Sequence, residues 1–176
     1  MPIAIPAAVI ALATLAAAQA SGDGAAAAAP APSAAAACTA SEFHQFDFWA
    51  GRWDVYNAKG TLVAHSLIEP VYGCGIRENW MPLSNQPGGS LSIYVPDEKR
   101  WEQFWIDSSG SRAIFTGGWT GKAMVISGKW GGPIVRMTYS KNADGSVRQF
   151  GEQSTDDGKT WSPSFDFTYR PAKPAH

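Results

Sequence analysis

The sequence has few of the residues that carry nucleic-acid binding or metal chemistry. Lys and Arg together number 14 against 15 Asp and Glu, the formal net charge is −1, and the two signs are interspersed. Nucleic-acid-binding domains need a basic stripe or patch, so the composition predicts no nucleic-acid partner. The three His residues, His44, His65 and His176, are far apart, and no nucleophile elbow, phosphate loop or zinc motif is present. We therefore predict neither a metal nor another cofactor.

Long apolar runs are also scarce, and the longest lies at the N-terminus. It extends from Ile3 to Ala18 and ends in Ala18-Gln19-Ala20, which is the A-x-A pattern of a cleaved signal peptide. The alternative is a membrane anchor, but a spanning helix needs about 20 strongly apolar residues. We predict a signal peptide over residues 1–20, a periplasmic or secreted location, and no stable membrane insertion. Residues 21–37 consist of Ser, Gly, Asp, Ala and Pro and predict a disordered linker.

Cysteine is limited to Cys38 and Cys74. An even count in an exported chain favours a disulfide, which would tie the approach to the first strand to the chain just after Tyr72. A redox pair or a metal site is the alternative, but the spacing is not the C-x-x-C that such sites use. The sequence therefore predicts a structural disulfide between Cys38 and Cys74.

From residue 51 onward, short strand-like runs alternate with turn signals about every ten residues, a pattern typical of barrels and sandwiches. A short helical or 3₁₀ turn is predicted just before the first strand. Pro70 is expected to end the second strand, and Pro163 predicts a bulge or an edge in the last. The predicted strands cover residues 51–56, 61–69, 76–81, 90–95, 101–107, 112–117, 122–128, 134–140, 147–154 and 159–170.

Consecutive hairpins favour a meander, and a meander of about ten strands avoids exposed edges by closing on itself. We therefore predict an all-β protein whose domain, residues 38–171, is a closed antiparallel up-and-down β-barrel. Residues 172–176 are predicted to form a loose tail. A closed barrel of this size is wide enough to hold one small ligand.

Several motifs support this fold by resemblance. They include Phe46-Asp47-Phe48-Trp49-x-Gly51-x-Trp53-Asp54-Val55, Gly73-Cys74 with Glu78-x-Trp80, and Trp101-x-Gln103-x-Trp105-x-Asp107. These motifs resemble a bacterial exported family that is known only as a domain of unknown function. That family is similar to the calycins, the lipocalin-like barrels, and Gly51-x-Trp53 is similar to the lipocalin first-strand motif. The resemblance implies a barrel with an internal cavity and does not imply a particular ligand.

Two further resemblances limit the chemistry. Haem-binding nitrobindin-like barrels have a Gly-rich Trp motif and a late proximal His, whereas the late His of this chain is the tail residue His176. This chain departs from the pattern of those barrels, and the departure argues against a haem site. The segment from Ser154 to Trp161 resembles the Asp-box of sialidases, which is a structural hairpin repeated around a propeller. A single copy predicts a hairpin and no glycosidase chemistry.

Glu78 is the candidate for acid–base chemistry. It lies between Ile76 and Trp80 on one strand face, and if that face is interior, loss of water would raise the pKa of its carboxyl. The alternatives are a core carboxylate paired with Arg136 or Arg148, or a residue at the rim.

The remaining candidates would line a pocket. Arg136 and Arg148 could hold a ligand carboxylate in a bidentate manner if either faces inward, while Ser92, Tyr94, Gln103 and the indoles offer polar groups and walls. Ordinary barrel packing is the alternative for all of them. The full set of predicted ligand-binding residues is Trp53, Glu78, Trp80, Ser92, Tyr94, Gln103, Trp105, Arg136 and Arg148.

Three functions remain open from the sequence. The first is an exported barrel that binds a small apolar or amphipathic molecule. The second is an enzyme, an isomerase, cyclase or hydrolase, that uses a buried Glu/Arg pair, although no catalytic residue is assigned. The third is a structural envelope protein without a ligand, which predicts a filled interior and an exposed apolar patch.

Overall fold

The computed structural model describes residues 38–84 and 86–173, which form ten β-strands and three short 3₁₀ helices. Every strand pairs antiparallel with its neighbours in chain order, and β1 pairs with β10 to close the barrel. This confirms the predicted all-β, closed, up-and-down barrel. The strands are β1 Gly51–Asn57, β2 Leu62–Val71, β3 Gly75–Pro82, β4 Gly88–Val95, β5 Arg100–Asp107, β6 Arg112–Trp119, β7 Met124–Lys129, β8 Ile134–Lys141, β9 Val147–Ser154 and β10 Ser162–Pro171. The 3₁₀ helices are Ser41–His44, Asp47–Trp49 and Pro96–Glu98.

Alternation of inward and outward side chains sets the register of each strand. In β8 the buried side chains are Val135, Met137 and Tyr139, while Arg136 and Thr138 between them lie on the outer face. A slip of one residue would turn the whole apolar set toward solvent. The alternation therefore specifies which side chains line the interior.

Proline positions modify two strands in different ways. β2 continues through Pro70 to Val71, so the predicted end at residue 69 is wrong. Pro70 lies one residue from the end of the strand, where a missing backbone N–H disturbs the ladder least. In β10 the register against β9 shifts between Pro163 and Phe165, which confirms the predicted bulge.

The last strand also begins later than predicted, at Ser162 instead of residue 159. The carboxylate of Asp156 accepts hydrogen bonds from the backbone N–H and the hydroxyl of Thr160. Ser154 closes the same turn by donating from its hydroxyl to Asp156 at 2.7 Å. These bonds hold the segment in a tight turn, so the Asp-box-like segment is a hairpin loop, as predicted.

Aromatic side chains plug one end of the barrel. The first two 3₁₀ helices place Phe46 and Trp49 inside this end, where both are fully buried. The ring of Phe46 lies 4.9 Å from that of Tyr139 and 5.7 Å from that of Trp101, and Trp49 lies 5.9 Å from Tyr169. This confirms the predicted short closing turn, and it leaves the opposite half of the barrel as the place for a cavity.

A disulfide joins Cys38 to Cys74, whose Cα atoms are 5.2 Å apart, and this confirms the predicted bridge. Cys74 lies in the turn between β2 and β3 at the plugged end of the barrel. The bridge therefore attaches the start of the plug segment to the barrel wall.

The chain ends outside the barrel are covered only in part. The predicted signal peptide and linker, residues 1–37, lie outside the described residues, as do residues 174–176 of the predicted loose tail. Ala172 follows β10, and its backbone N–H donates to the carbonyl of Arg52 at 2.9 Å. Within residues 38–84 and 86–173, no helix has the length and apolar character needed to cross a membrane.

Candidate functional site

A cavity of about 230 Å³ lies in the half of the barrel away from the aromatic plug. This is larger than a cavity of about 150 Å³ that accepts benzene and smaller than the roughly 300–1,000 Å³ of drug-sized pockets. The volume suits a molecule of one ring with a short substituent. The lining residues are Glu78, Trp80, Gln86, Gln103, Trp105, Asp107, Phe115, Trp130, Met137, Tyr139, Gln149, Phe165, Phe167 and Tyr169.

Glu78 is the buried acid of the cavity, with 7% of its surface exposed. Its carboxyl accepts a hydrogen bond from the hydroxyl of Ser90 on β4 at 3.1 Å and a longer one from Ser66 on β2 at 3.4 Å. Loss of water on burial raises the pKa of Glu78 to about 7, although both serine hydrogen bonds oppose the shift. Glu78 therefore exchanges its proton near neutral pH.

The predicted interior positions of Arg136 and Arg148 are corrected by the structure. Arg136 lies on the outer face, where its guanidinium bonds Glu152 at 3.0 Å and stacks over the ring of Trp161. Arg148 is also outside and donates two hydrogen bonds, of 2.7 and 2.8 Å, to Asp166. The register of β8 and β9 sends their neighbours inward instead, so neither arginine lines the cavity or pairs with Glu78.

Neutral polar side chains are hydrogen-bonded to one another at the end of the cavity nearest the aromatic plug, which we call the cavity floor. The hydroxyl of Tyr169 donates to Gln149 Oε1 at 2.7 Å, and Gln149 Nε2 donates to the hydroxyl of Tyr139 at 2.9 Å. The proton of Tyr139 is directed at the sulfur of Met137, 3.5 Å away, which is a weak acceptor. A ligand atom that accepts more strongly than this thioether could take the place of the sulfur.

Burial keeps both tyrosines protonated. Loss of water raises the pKa of Tyr139 and of Tyr169 well above the usual value for a phenol, and the nearby charge of Glu78 adds to the effect. Hydrogen bonds with Gln103 and Gln149 oppose the shift at Tyr139. Across neutral pH, the tyrosines of this floor remain neutral donors.

Aromatic rings form the walls above this floor. Trp105 and Trp130 lie 6.0 Å apart in an edge-to-face arrangement. On the other side Phe165 and Phe167 stack at 5.0 Å, and Phe167 lies 5.7 Å from Trp80. Such walls give a ring-shaped ligand large apolar contact areas.

Two glycines make room for the wall rings. A Cβ atom added at Gly151 would lie 2.4 Å from the ring of Phe165, and one added at Gly88 would lie 2.6 Å from the ring of Trp105. Each ring therefore lies directly against bare backbone. The shape of the cavity depends on these two positions, which the sequence analysis did not identify.

Four of the predicted ligand-binding residues line the cavity. Glu78 and Gln103 belong to its floor, and Trp80 and Trp105 belong to its walls. Ser92 lies just below the floor, where its hydroxyl accepts a hydrogen bond from Gln103 Nε2 at 3.1 Å. For β3, β4 and β5 the sequence-based prediction therefore identifies the inward face correctly.

The other two inward residues, Trp53 and Tyr94, pack in the barrel interior away from the cavity. Trp53 donates from Nε1 to the carbonyl of Trp49 at 2.9 Å. Tyr94 packs edge-to-face on Phe43 of the plug at 5.6 Å. For both residues the packing alternative describes the structure. The predicted set does not include Tyr139, Gln149 or Tyr169, whose interior position follows from the alternation along β8, β9 and β10.

Asp107 is a second acid, at the rim of the cavity. It accepts hydrogen bonds from the backbone N–H of Ser109 at 2.9 Å and from Trp105 Nε1 at 3.2 Å. These bonds, led by that of the Ser109 hydroxyl, lower the pKa of Asp107. No Lys, Arg or His is found among the described residues that line the cavity, so the site is acidic at neutral pH.

The outer face carries a separate apolar stripe. Leu91, Phe104 and Ile114 lie opposite one another on β4, β5 and β6, and Ile93 and Ile106 flank them. All five are about half exposed. The structural-protein hypothesis predicts such a patch together with a filled interior; the patch is present, and a cavity is present as well.

Residues 38–84 and 86–173 contain no group of three or more His, Cys, Asp or Glu side chains placed to hold an ion. His44 and His65 lie on the surface, each hydrogen-bonded at 2.8 Å to an aspartate, Asp47 and Asp54 respectively.

No protein-family model matches the chain, and no curated protein matches it either.

Proposed function

We propose that the protein is an exported barrel that binds a small apolar or amphipathic molecule in its internal cavity. The observation that carries this proposal is the combination of aromatic walls with a few convergent polar groups on the floor, which is the general construction of small-molecule sites. The Cys38–Cys74 disulfide supports an oxidising compartment. A ligand ring would lie between Trp105 and Phe165, with its polar end on Glu78 and Tyr139.

Native mass spectrometry of gently purified protein tests this proposal. The measurement is made on wild type and on two glycine variants, one of which changes the shape of the cavity. In Gly151→Ala the new methyl group would lie 2.4 Å from the ring of Phe165, which lines the cavity, so that ring has to move. Gly118→Ala is the matched control, because a Cβ there meets no atom within 4 Å. We expect a defined added mass, released on denaturation, in wild type and Gly118→Ala and a reduced one in Gly151→Ala. An apo mass for all three, or equal added masses, would contradict the proposal.

The geometry also supports a second candidate, an enzyme that moves protons inside the barrel. The favouring observation is a buried carboxyl whose pKa lies at about 7, since a general base works best near the operating pH. The Tyr139 hydroxyl, and no arginine, would stabilise negative charge on the substrate. In this case Glu78→Gln would retain substrate binding but lose turnover, whereas a carrier would show no turnover in either form.

A further inference from the structure

The cavity holds two acidic groups and no basic group among the described residues that line it. Glu78 lies on the floor and Asp107 at the rim, while Arg136 and Arg148 point outward to other carboxylates. We propose that the ligand is a small organic cation, an ammonium group attached to a ring or a short apolar chain. This inference rests on the proposed binding function and adds the charge of the ligand to it.

The Glu78 carboxyl on the floor has no positively charged partner among the described residues, and a cationic ligand could supply one. The partners of the Glu78 carboxyl are two neutral serine hydroxyls, so no cation of the described chain competes for its oxygens. An ammonium group would form charge-assisted hydrogen bonds there, which are about twice as strong as neutral ones. Their direction would also fix the orientation of the ligand.

The walls favour a cation for an independent reason. The indoles of Trp80, Trp105 and Trp130 line the same volume, and indole is the aromatic ring that attracts cations most strongly. An anion would meet Glu78 and Asp107, with no cation among the described lining residues to offset them. The same cavity therefore attracts an ammonium group and repels a carboxylate of equal size.

Binding of a cation should depend on pH through Glu78. Tyr139 and Tyr169, which face Glu78, stay neutral because burial raises their pKa, and Asp107 stays ionised because hydrogen bonds lower its pKa. Glu78 is then the group of the described cavity that changes charge near pH 7. Affinity for an ammonium should rise about tenfold per pH unit up to this pKa and then level off.

Three phenethyl compounds that differ in their terminal group test the inference by calorimetry at about pH 8 and about pH 6. They are phenethylamine, which is cationic, phenethyl alcohol, which is neutral, and hydrocinnamate, which is anionic. We expect phenethylamine to bind at least tenfold more tightly than either other probe at the higher pH, and to lose most of that advantage at the lower pH. Glu78→Gln should remove the preference while phenethyl alcohol still binds.

Two further variants keep the test interpretable. Asp107→Asn removes the charge at the rim, in a side chain that lies outside the core. It should reduce the preference for phenethylamine over the other two probes. Glu98→Gln removes the same charge at the plugged end, where Glu98 pairs with Arg100, and should leave the preference unchanged.

The outcomes separate the two proposals. Phenethyl alcohol or hydrocinnamate binding as tightly as phenethylamine would overturn the cationic ligand but leave the binding function intact. A cation preference that survives in both Glu78→Gln and Asp107→Asn would also overturn it. Binding of none of the probes would overturn both proposals.

Discussion

Ser90 lies directly opposite Glu78 on the neighbouring strand, and its hydroxyl donates a hydrogen bond to the carboxyl at 3.1 Å. A neutral donor of this kind satisfies one oxygen without supplying a countercharge. The carboxyl therefore loses water on folding and gains no cation in return, which is the condition that raises the pKa of an acid. The chemistry of the cavity follows from this pair.

The stability of the protein should fall as pH rises toward neutrality. The pKa of Glu78 is about 7 in the folded protein, against the ordinary value of 4.5 that applies to the unfolded chain. Between these two pH values the folded state therefore binds more protons than the unfolded state. Glu78 therefore contributes stability below about pH 4.5 that is lost as pH approaches about 7, in total about 3 kcal/mol. Urea denaturation across this range measures the loss.

Glu78→Gln separates this effect from other titrating groups. We expect the variant to be more stable than wild type by up to about 3 kcal/mol at pH 8, with the difference disappearing near pH 4.5. Glu98→Gln, a charge change on the surface, should follow the wild-type curve. Parallel curves for Glu78→Gln and wild type would show that the carboxyl is not desolvated.

Removing the disulfide should destabilise the barrel. Cys38 and Cys74 are separated by 36 residues. Closing a loop of that length lowers the entropy of the unfolded chain and so raises its free energy by about 4 kcal/mol. The double variant Cys38→Ser/Cys74→Ser should lose up to that amount in free energy of unfolding. Chemical denaturation with and without a reducing agent checks it, since reductant should affect wild type alone.

The plug should contribute as a core element. Phe46 is 1% exposed and contacts Trp49, Trp101 and Tyr139, so Phe46→Ala should cost about 3–5 kcal/mol. Phe104→Ala, on the outer face with 41% exposure, serves as the control and should cost about 1 kcal/mol or less. Equal costs for the two would mean that the plug does not close the barrel.

Gly151 should be intolerant of even a methyl group. Gly151→Ala forces the ring of Phe165 to move, and such overpacking typically costs about 1–3 kcal/mol. Gly118→Ala, which has free space around the new atom, should change stability by about 0.5 kcal/mol or less. Thermal denaturation of both variants gives the comparison, and similar midpoints would contradict the contact.

The fold was predictable because alternation and turn signals act locally along the chain. The faces were harder to predict, because several strands are apolar on both sides. In β5 the inward Trp101 and Trp105 alternate with the outward Phe104 and Ile106, so hydrophobicity alone does not choose between the faces. The disulfide followed from the even number of cysteines, without any geometry.

The polar floor could not be predicted for a different reason. Gln149, Tyr139 and Tyr169 come from three strands, and their hydrogen bonds depend on the stagger between those strands. Arg136 is a candidate only if its strand face is interior, and its partner Glu152 lies directly opposite on the outside of β9. An outward ion pair of this kind becomes visible only when strand register is known.

The most direct test of a ligand-binding cavity is the indole N–H region of the NMR spectrum during titration with phenethylamine. Trp80, Trp105 and Trp130 line the cavity, whereas Trp161 lies in the hairpin turn and donates to the carbonyl of Gly158. We expect saturable shifts of the three cavity indoles and no shift of Trp161. No shift at all, or shifts confined to indoles outside the cavity, would contradict it.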